Sequence, residues 1–224
     1  MIRKSPIYFQ RTLPKIYKKL LRKFGQQHWW PGETPFEVAV GAILTQNTSW
    51  TNAAHAVANL KKAGLLEPSE LRRISSKRLA RHIRSSGYFN QKTKRLKSFV
   101  KYLEGKYAGD MSRMRKMPTA QLRQELLEIS GIGPETADSI LLYALEKPIF
   151  VVDAYTRRFL TRHSLISPKA FYEEIQALFM NHLPLSAPLF NEYHALIVAL
   201  GKDLCRTVPD CPVCPLRRIG RLNL

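Results

Sequence analysis

Asp153 closes the apolar run Phe150-Val151-Val152 and opens the helical pattern Asp-Ala-Tyr-Thr-Arg-Arg-Phe. A carboxylate at that position can cap the helix by accepting an N–H two or three residues on. Placed at the mouth of a site, a carboxylate can also stabilise developing positive charge and orient water. Upstream, Ser130-Gly131-Ile132-Gly133-Pro134-Glu135 separates two apolar helical patterns. Glycines allow backbone angles and close approach that a Cβ blocks, and Pro134 suits a first helical turn. N–H groups exposed at such a turn form an anion site, for which phosphate is the natural ligand. Two further groups have chemistry. Cys205, Cys211 and Cys214 cluster near the C-terminus as a candidate metal or cluster site or its remnant, and Trp29, Trp30 and Trp50 could stack on a flat ring.

The elements that must hold these residues read as helices. PFEVAVGAILTQ puts Phe36, Val40, Ile43 and Leu44 on one apolar face, and similar patterns recur to NEYHALIVALGKDLC. Only KPIFVV has strand-like residues, too few for a sheet. The fold class is all-α. Leu122 to Ile129 form the first helix of a helix–hairpin–helix, residues 130–133 the hairpin and Pro134 to Leu145 the second helix, with Ile132 buried between them. A hydrophobic fraction of 45% supplies a core, so wholesale disorder is excluded. The formal charge of +19 attracts polyanions, nucleic acid ahead of a membrane surface, the plainer reading being a protein made soluble by lysine. Neither an eighteen-residue apolar run nor a signal-peptide core is present, so a soluble, intracellular protein is expected. Lys94, Lys97 and Lys101 form a basic stripe at helical spacing, with Lys92 and Arg95 beside it, expected to supply phosphate contacts.

G-I-G-P-E-T-A-D, a helix, then V-V-D and T-R-R resembles the helix–hairpin–helix DNA glycosylase superfamily typified by endonuclease III. AILTQNTSWTNAAHAV, SSGYFNQKTKRL and GKDLCRTVPDCPVCPL resemble that family's DNA-entering loop, its G-[FY]-x-x-K-A-x-x-[IL] segment and its iron–sulfur loop, so the likeness spans nearly the whole chain. Within the superfamily the sequence is most similar to bacterial 3-methyladenine glycosylases of the endonuclease III type, through Trp29-Trp30-Pro31, Leu44 to Thr48 with Trp50, and Gly87 to Lys92. The resemblance implies two helical lobes with DNA in the cleft between. One is a six-helix-type lobe over residues 35–144, ending in the hairpin motif (about 122–145); the other combines 1–34 with 145–224. It also implies a catalytic Asp153 and an aromatic base pocket of Trp29, Trp30, Pro31 and Trp50. DNA contacts then fall to Gln46, Asn47, Gly131, Ile132, Gly133, Thr136, Lys92, Lys94, Arg95 and Arg157, with Gln46 wedging into the gap left by a flipped base.

Two departures shape the expected chemistry. The strand-cleaving branch carries a Schiff-base lysine at the second residue after G-x-G; Glu135 stands there and cannot form an imine. A monofunctional N-glycosylase is expected, acting on an N-alkylated purine such as 3-methyladenine, whose positive charge suits indole faces. Alternatives are a glycosylase for a mismatched, deaminated or oxidised base, with or without weak strand cleavage, and a non-catalytic DNA-structure-binding protein. The cysteine loop keeps three of the family's four cysteines, with Gly220 at the fourth position. A four-iron cluster normally takes four thiolates. A lost or labile cluster, one with a non-cysteine ligand, and zinc completed by a distant residue such as His194 all remain open; catalysis needs no cofactor. The expected partner is double-stranded DNA carrying a damaged base, bound by a monomer in the cytoplasm at the nucleoid, with no membrane.

Overall fold

The computed structural model describes residues 5–222, and every regular element among them is helical. In chain order these are α1 (Pro6–Phe24), α2 (Pro35–Leu44), α3 (Trp50–Lys62), α4 (Pro68–Arg73), α5 (Ser76–His82) and α6 (Phe89–Tyr107). There follow α7 (Met111–Arg115), α8 (Thr119–Leu127), α9 (Pro134–Ser139), α10 (Ala154–Arg162), α11 (Tyr172–Met180) and α12 (Ala187–Asp203). A 3-10 turn at Arg84–Ser86 precedes α6, and a π-helical turn at Ile140–Ala144 continues α9. Start signals are local and physical. Ser5, Thr34, Ser49, Ser75, Asp153 and Ser186 each accept a first-turn N–H, and proline occupies the opening turn of α1, α2, α4, α9 and α12.

The chain divides into two compact units, one formed by Trp30–Lys147 and the other by the chain up to Trp29 together with Pro148 onward. In the continuous unit α2 is the central helix, packed by α3, α6, α9 and the π turn. Its burial is not one-sided as the apolar stripe suggested: Val38, Ala39, Gly41 and Ala42 are buried along with Phe36, Val40, Ile43 and Leu44. A helix apolar on every side belongs inside a core.

The two hairpin helices are tied across the turn by charge. Arg123 on α8 donates through Nε (2.8 Å) and Nη2 (3.2 Å) to the two carboxylate oxygens of the fully buried Asp138 on α9. A two-pronged guanidinium–carboxylate contact fixes angle as well as distance. The π turn then opens the helix by one residue per turn, setting Tyr143 against the Trp30 ring at 5.1 Å.

In the discontinuous unit, α12 packs against α1 and α10. Phe150 is stacked on Phe179 at 3.8 Å and edge-on to Phe190 and Tyr193, and the buried Tyr193 hydroxyl donates to the Leu13 carbonyl at 2.9 Å. KPIFVV takes no regular structure, and no strand occurs among the described residues.

Glu125 on α8 ties the hairpin's first helix to α6. Tyr102 and Tyr107 both donate to its Oε2 at 2.7 Å, while Gln121 (3.0 Å) and Lys106 (2.8 Å) reach Oε1. Burial pushes this carboxyl up, but the hydrogen bonds from Lys106, Gln121, Tyr107 and Tyr102 outweigh it and hold the pKa at about 2 rather than 4.5. The unfolded chain therefore takes up this proton first. The contribution is complete above about pH 4.5 and is lost as pH falls through about 2. Glu125→Gln is expected to flatten that part of the stability–pH curve and to cost about 2–3 kcal/mol at pH 7, as read by denaturant unfolding.

Candidate functional site

Asp153 is positioned by what precedes it. Ile149, Phe150, Val151 and Val152 are all buried. The segment's backbone is held by α11, through Gln176 Nε2 donating to the Phe150 carbonyl (2.7 Å) and Val152 N–H donating to the Tyr172 hydroxyl (3.3 Å). The Asp153 side chain, 12% exposed, accepts the Thr156 N–H through Oδ1 at 2.7 Å, so it does cap α10. Its Oδ2 lies 3.6 Å from Nε2 of His194 on α12, too long for a hydrogen bond but close enough for charge to be felt. Burial pulls the His194 pKa down and the Asp153 carboxylate pulls it partly back, which favours a neutral imidazole at neutral pH. One carboxylate oxygen is thus anchored and the other remains for chemistry.

In the continuous unit the hairpin forms where the glycines and proline put it. Gly131 adopts φ +86, in the left-handed region that favours glycine, and Ile132 is buried. Ile132 N–H is not offered to an anion, because it donates to the Ile129 carbonyl at 3.0 Å. Gly131 and Gly133 on either side of it are exposed, and no side chain caps the first turn of α9. Thr136 is also turned inward: it is 6% exposed and its hydroxyl accepts from Gln46 at 2.8 Å. Gln46 itself, expected to project as a wedge, lies against the hairpin; its Nε2 also donates to the Gly131 carbonyl at 3.0 Å, and its Oε1 accepts from Arg95. Asn47 follows in a left-handed conformation and is exposed.

The basic stripe divides by burial. Lys92 is fully buried, and its ammonium donates to the carbonyls of Leu44 (2.8 Å) and Ser86 (2.6 Å), which excludes it as a phosphate contact. Burial, helped by the charge of Arg95, lowers its pKa to about 8. Lys97 turns onto the carbonyls of Leu71, Arg72 and Ile74 at the end of α4, so it too serves structure. Lys94 and Lys101 are exposed. Arg157 gives Nη1 to the Ala170 carbonyl and stays half-exposed. Sequence reasoning missed a concavity of about 620 Å³ where Lys77, Arg81 and Arg84 join Lys94, with no acidic residue in its wall. The signal was present in the i, i+4, i+7 spacing of the first three.

The tryptophans fall in both units. Trp30 meets Trp50 edge-on at 4.7 Å, and with Pro31 they border a cavity of about 140 Å³ that also holds Glu37 and Lys61. Gly41 makes room for this arrangement, since a Cβ there would lie 3.3 Å from the Trp30 indole nitrogen. Trp29 belongs to the discontinuous unit, with the Lys202 ammonium 5.7 Å from the centre of its ring. Trp30 and Trp50 therefore come together, and Tyr143, which nothing in the spacing marked, joins them.

Cys205, Cys211 and Cys214 border one small cavity. Cys205 accepts from Arg162 Nη1 at 3.4 Å, and burial, with the neighbouring Cys205, Cys211 and Asp210, raises the Cys214 thiol above its usual pKa. Among the described residues no three or more His, Cys, Asp or Glu are arranged to hold a metal ion. The donor set, three thiols with an arginine on one of them, does not fit a four-thiolate cluster. His194 cannot complete a zinc site there, because it packs on Phe150 beside Asp153. No helix among the described residues is long and apolar enough to cross a membrane.

Residues 40–185 match the family described as HhH-GPD superfamily base excision DNA repair protein. A Methanocaldococcus jannaschii protein, provisionally named a DNA repair glycosylase, is 49% identical over 205 residues, covering 91% of this chain and 93% of its own. Endonuclease III of Thermotoga maritima is 26% identical over 203 residues, covering 90% and 87%. Among solved structures, H. pylori 3-methyladenine DNA glycosylase bound to 1,N6-ethenoadenine shares 30% identity at a TM-score of 0.71, covering 89% of this chain and 98% of its own. A trapped endonuclease III–DNA covalent intermediate shares the fold at a TM-score of 0.81, with 21% identity and 95% of both chains covered.

The buried lysine gives a test of this site's scaffold. Between about pH 8 and 10.5 the unfolded chain keeps a proton that folded Lys92 has released, so stability should rise with pH across that window. Lys92→Met is expected to remove this contribution and flatten the rise, leaving what Lys97 and Lys147, whose pKa values burial also lowers, supply. It should also lower stability by about 2–4 kcal/mol at pH 7, because two buried carbonyls lose their donor. Chemical unfolding at a series of pH values reads both effects.

Proposed function

The chain belongs to the HhH-GPD superfamily of base excision DNA repair proteins and is a DNA N-glycosylase, and from that premise we propose that it is monofunctional and excises N-alkylated purines such as 3-methyladenine. The observation that carries the first part is Glu135. It occupies the exposed first turn after the hairpin, where the strand-cleaving branch of the resemblance carries its amine. A carboxylate cannot condense with the sugar, so water takes the base's place.

Base departure leaves positive charge on the sugar. The Asp153 Oδ2 atom stabilises that charge and orients the attacking water, while Oδ1 stays on the Thr156 N–H and keeps the carboxylate from rotating. Low exposure strengthens the effect, since charge is screened less there than in water. Neutral His194 beside it leaves the carboxylate's charge uncompensated.

The indole pair Trp30–Trp50 supports the alkylated-purine reading, because a cationic ring gains cation–π attraction on top of stacking. The H. pylori relative, a 3-methyladenine glycosylase by name, supports it independently. A charge-weakened glycosidic bond also asks least of a site without a covalent nucleophile. Gly131, Gly133, Lys94 and Arg157 hold phosphates in this reading, Asn47 lines the DNA and Gln46 fills the space left by the base. The protein works as a monomer on DNA of the nucleoid, without a catalytic cofactor.

The test is base release from duplexes carrying 3-methyladenine, 7-methylguanine, hypoxanthine, uracil or thymine glycol, by wild type and Asp153→Asn. Release of the methylated purines is expected. The variant should be slower by about a hundredfold or more while binding lesion DNA within a few-fold of wild type. Release of another base alone would contradict the pocket assignment. An Asp153→Asn variant as fast as wild type would remove the carboxylate from the mechanism.

A further inference from the structure

Gln46 makes three hydrogen bonds to two other parts of the chain, and together they use both its amide hydrogens and an oxygen lone pair. Nε2 donates to the Gly131 carbonyl (3.0 Å) and the Thr136 hydroxyl (2.8 Å), and Oε1 accepts from Arg95 Nη1. The carboxamide therefore has one orientation, with its oxygen toward α6 and its nitrogen toward the hairpin. Arg95 lies directly on that hairpin: a Cβ built on Gly131 would fall 2.6 Å from Arg95 Cγ, 2.7 Å from Nε and 3.0 Å from Cδ. The segment after α2, the N-terminal half of α6 and the hairpin thus converge on a single side chain.

Both donors that an orphaned base would need are already committed. For Gln46 to enter a duplex, its bonds to Gly131 and Thr136 must be exchanged for bonds to DNA. Such an exchange costs little when donor and acceptor numbers are kept. It costs much more if the side chain must first be ordered from a free state.

We propose that Arg95 is a positioning residue: it holds Gln46 aligned on the hairpin and serves as the pivot from which the wedge enters the DNA, coupling hairpin grip to base opening. The proposal rests on the reading of Gln46 as the wedge. It reassigns Arg95 from an ordinary phosphate contact to a group acting through another residue.

The test is a double-mutant cycle with Arg95→Met, Gln46→Ala and the pair, using the full chain on a lesion duplex with 2-aminopurine beside the lesion. Its fluorescence reports opening; affinity for the same duplex without a lesion, as a function of salt, reports phosphate grip. Arg95→Met is expected to reduce opening about tenfold. It should leave undamaged-duplex affinity and its salt slope unchanged, and add nothing in the Gln46→Ala background. Additive losses, with the slope reduced by about one, would make Arg95 a plain phosphate contact and overturn the proposal. Opening untouched by Gln46→Ala would overturn the wedge reading and the proposal with it. Arg95→Lys keeps the charge without the planar fork and carries the test should Arg95→Met not fold. Opening reduced at least several-fold with an unchanged salt slope supports positioning, and wild-type opening overturns it.

Discussion

Gly131 has no Cβ, and the space this leaves decides how the continuous unit is assembled. The left-handed backbone at this position turns the chain from α8 into α9, and the Arg95 side chain lies where a Cβ would stand. Arg95 in turn engages Gln46, whose amide nitrogen returns to the hairpin. A larger residue would strain the backbone and displace the arginine in one step. The opening motif is therefore more than an anion-binding turn; it is the seat on which the DNA-entering segment rests. Lys92 secures the same segment from behind, capping the end of α2 with a buried ammonium one helical turn before the buried Leu96.

The second constraint acts on Asp153. A carboxylate that must stabilise a cation cannot wander, and here it is fixed at both levels. Phe150 is locked between aromatic rings, which sets the segment leading into Asp153, and the Thr156 N–H sets the carboxylate's rotamer. Helix capping and catalysis are not competing explanations of this residue. The cap uses one oxygen and orients the other.

The helical class, the hairpin's position and the Asp153 cap were legible in the sequence because each depends on local chemistry: glycine in a turn, proline in a first turn, a carboxylate before a helix. The inward turn of Lys92 and Lys97 was not legible. A lysine on an amphipathic helix reads as solvated, and only tertiary contact reveals carbonyls in need of a donor. The clasp on Gln46 joins residues 85 and 90 positions apart, beyond any local pattern. The π turn that brings Tyr143 to Trp30 adds one residue to a helical turn inside an unbroken apolar run, so periodicity does not register it. The cysteine loop was legible as a departure, since a missing thiol can be counted without a structure.

The claim that joins Glu135 to Asp153 is that water, not an enzyme amine, replaces the departing base. Borohydride reduction tests it most directly, because it converts any imine between protein and sugar into a stable covalent bond. With wild-type protein turning over a 3-methyladenine duplex, the expected result is free base and abasic DNA with no protein–DNA adduct. A borohydride-dependent covalent complex formed at the rate of base release would contradict the account.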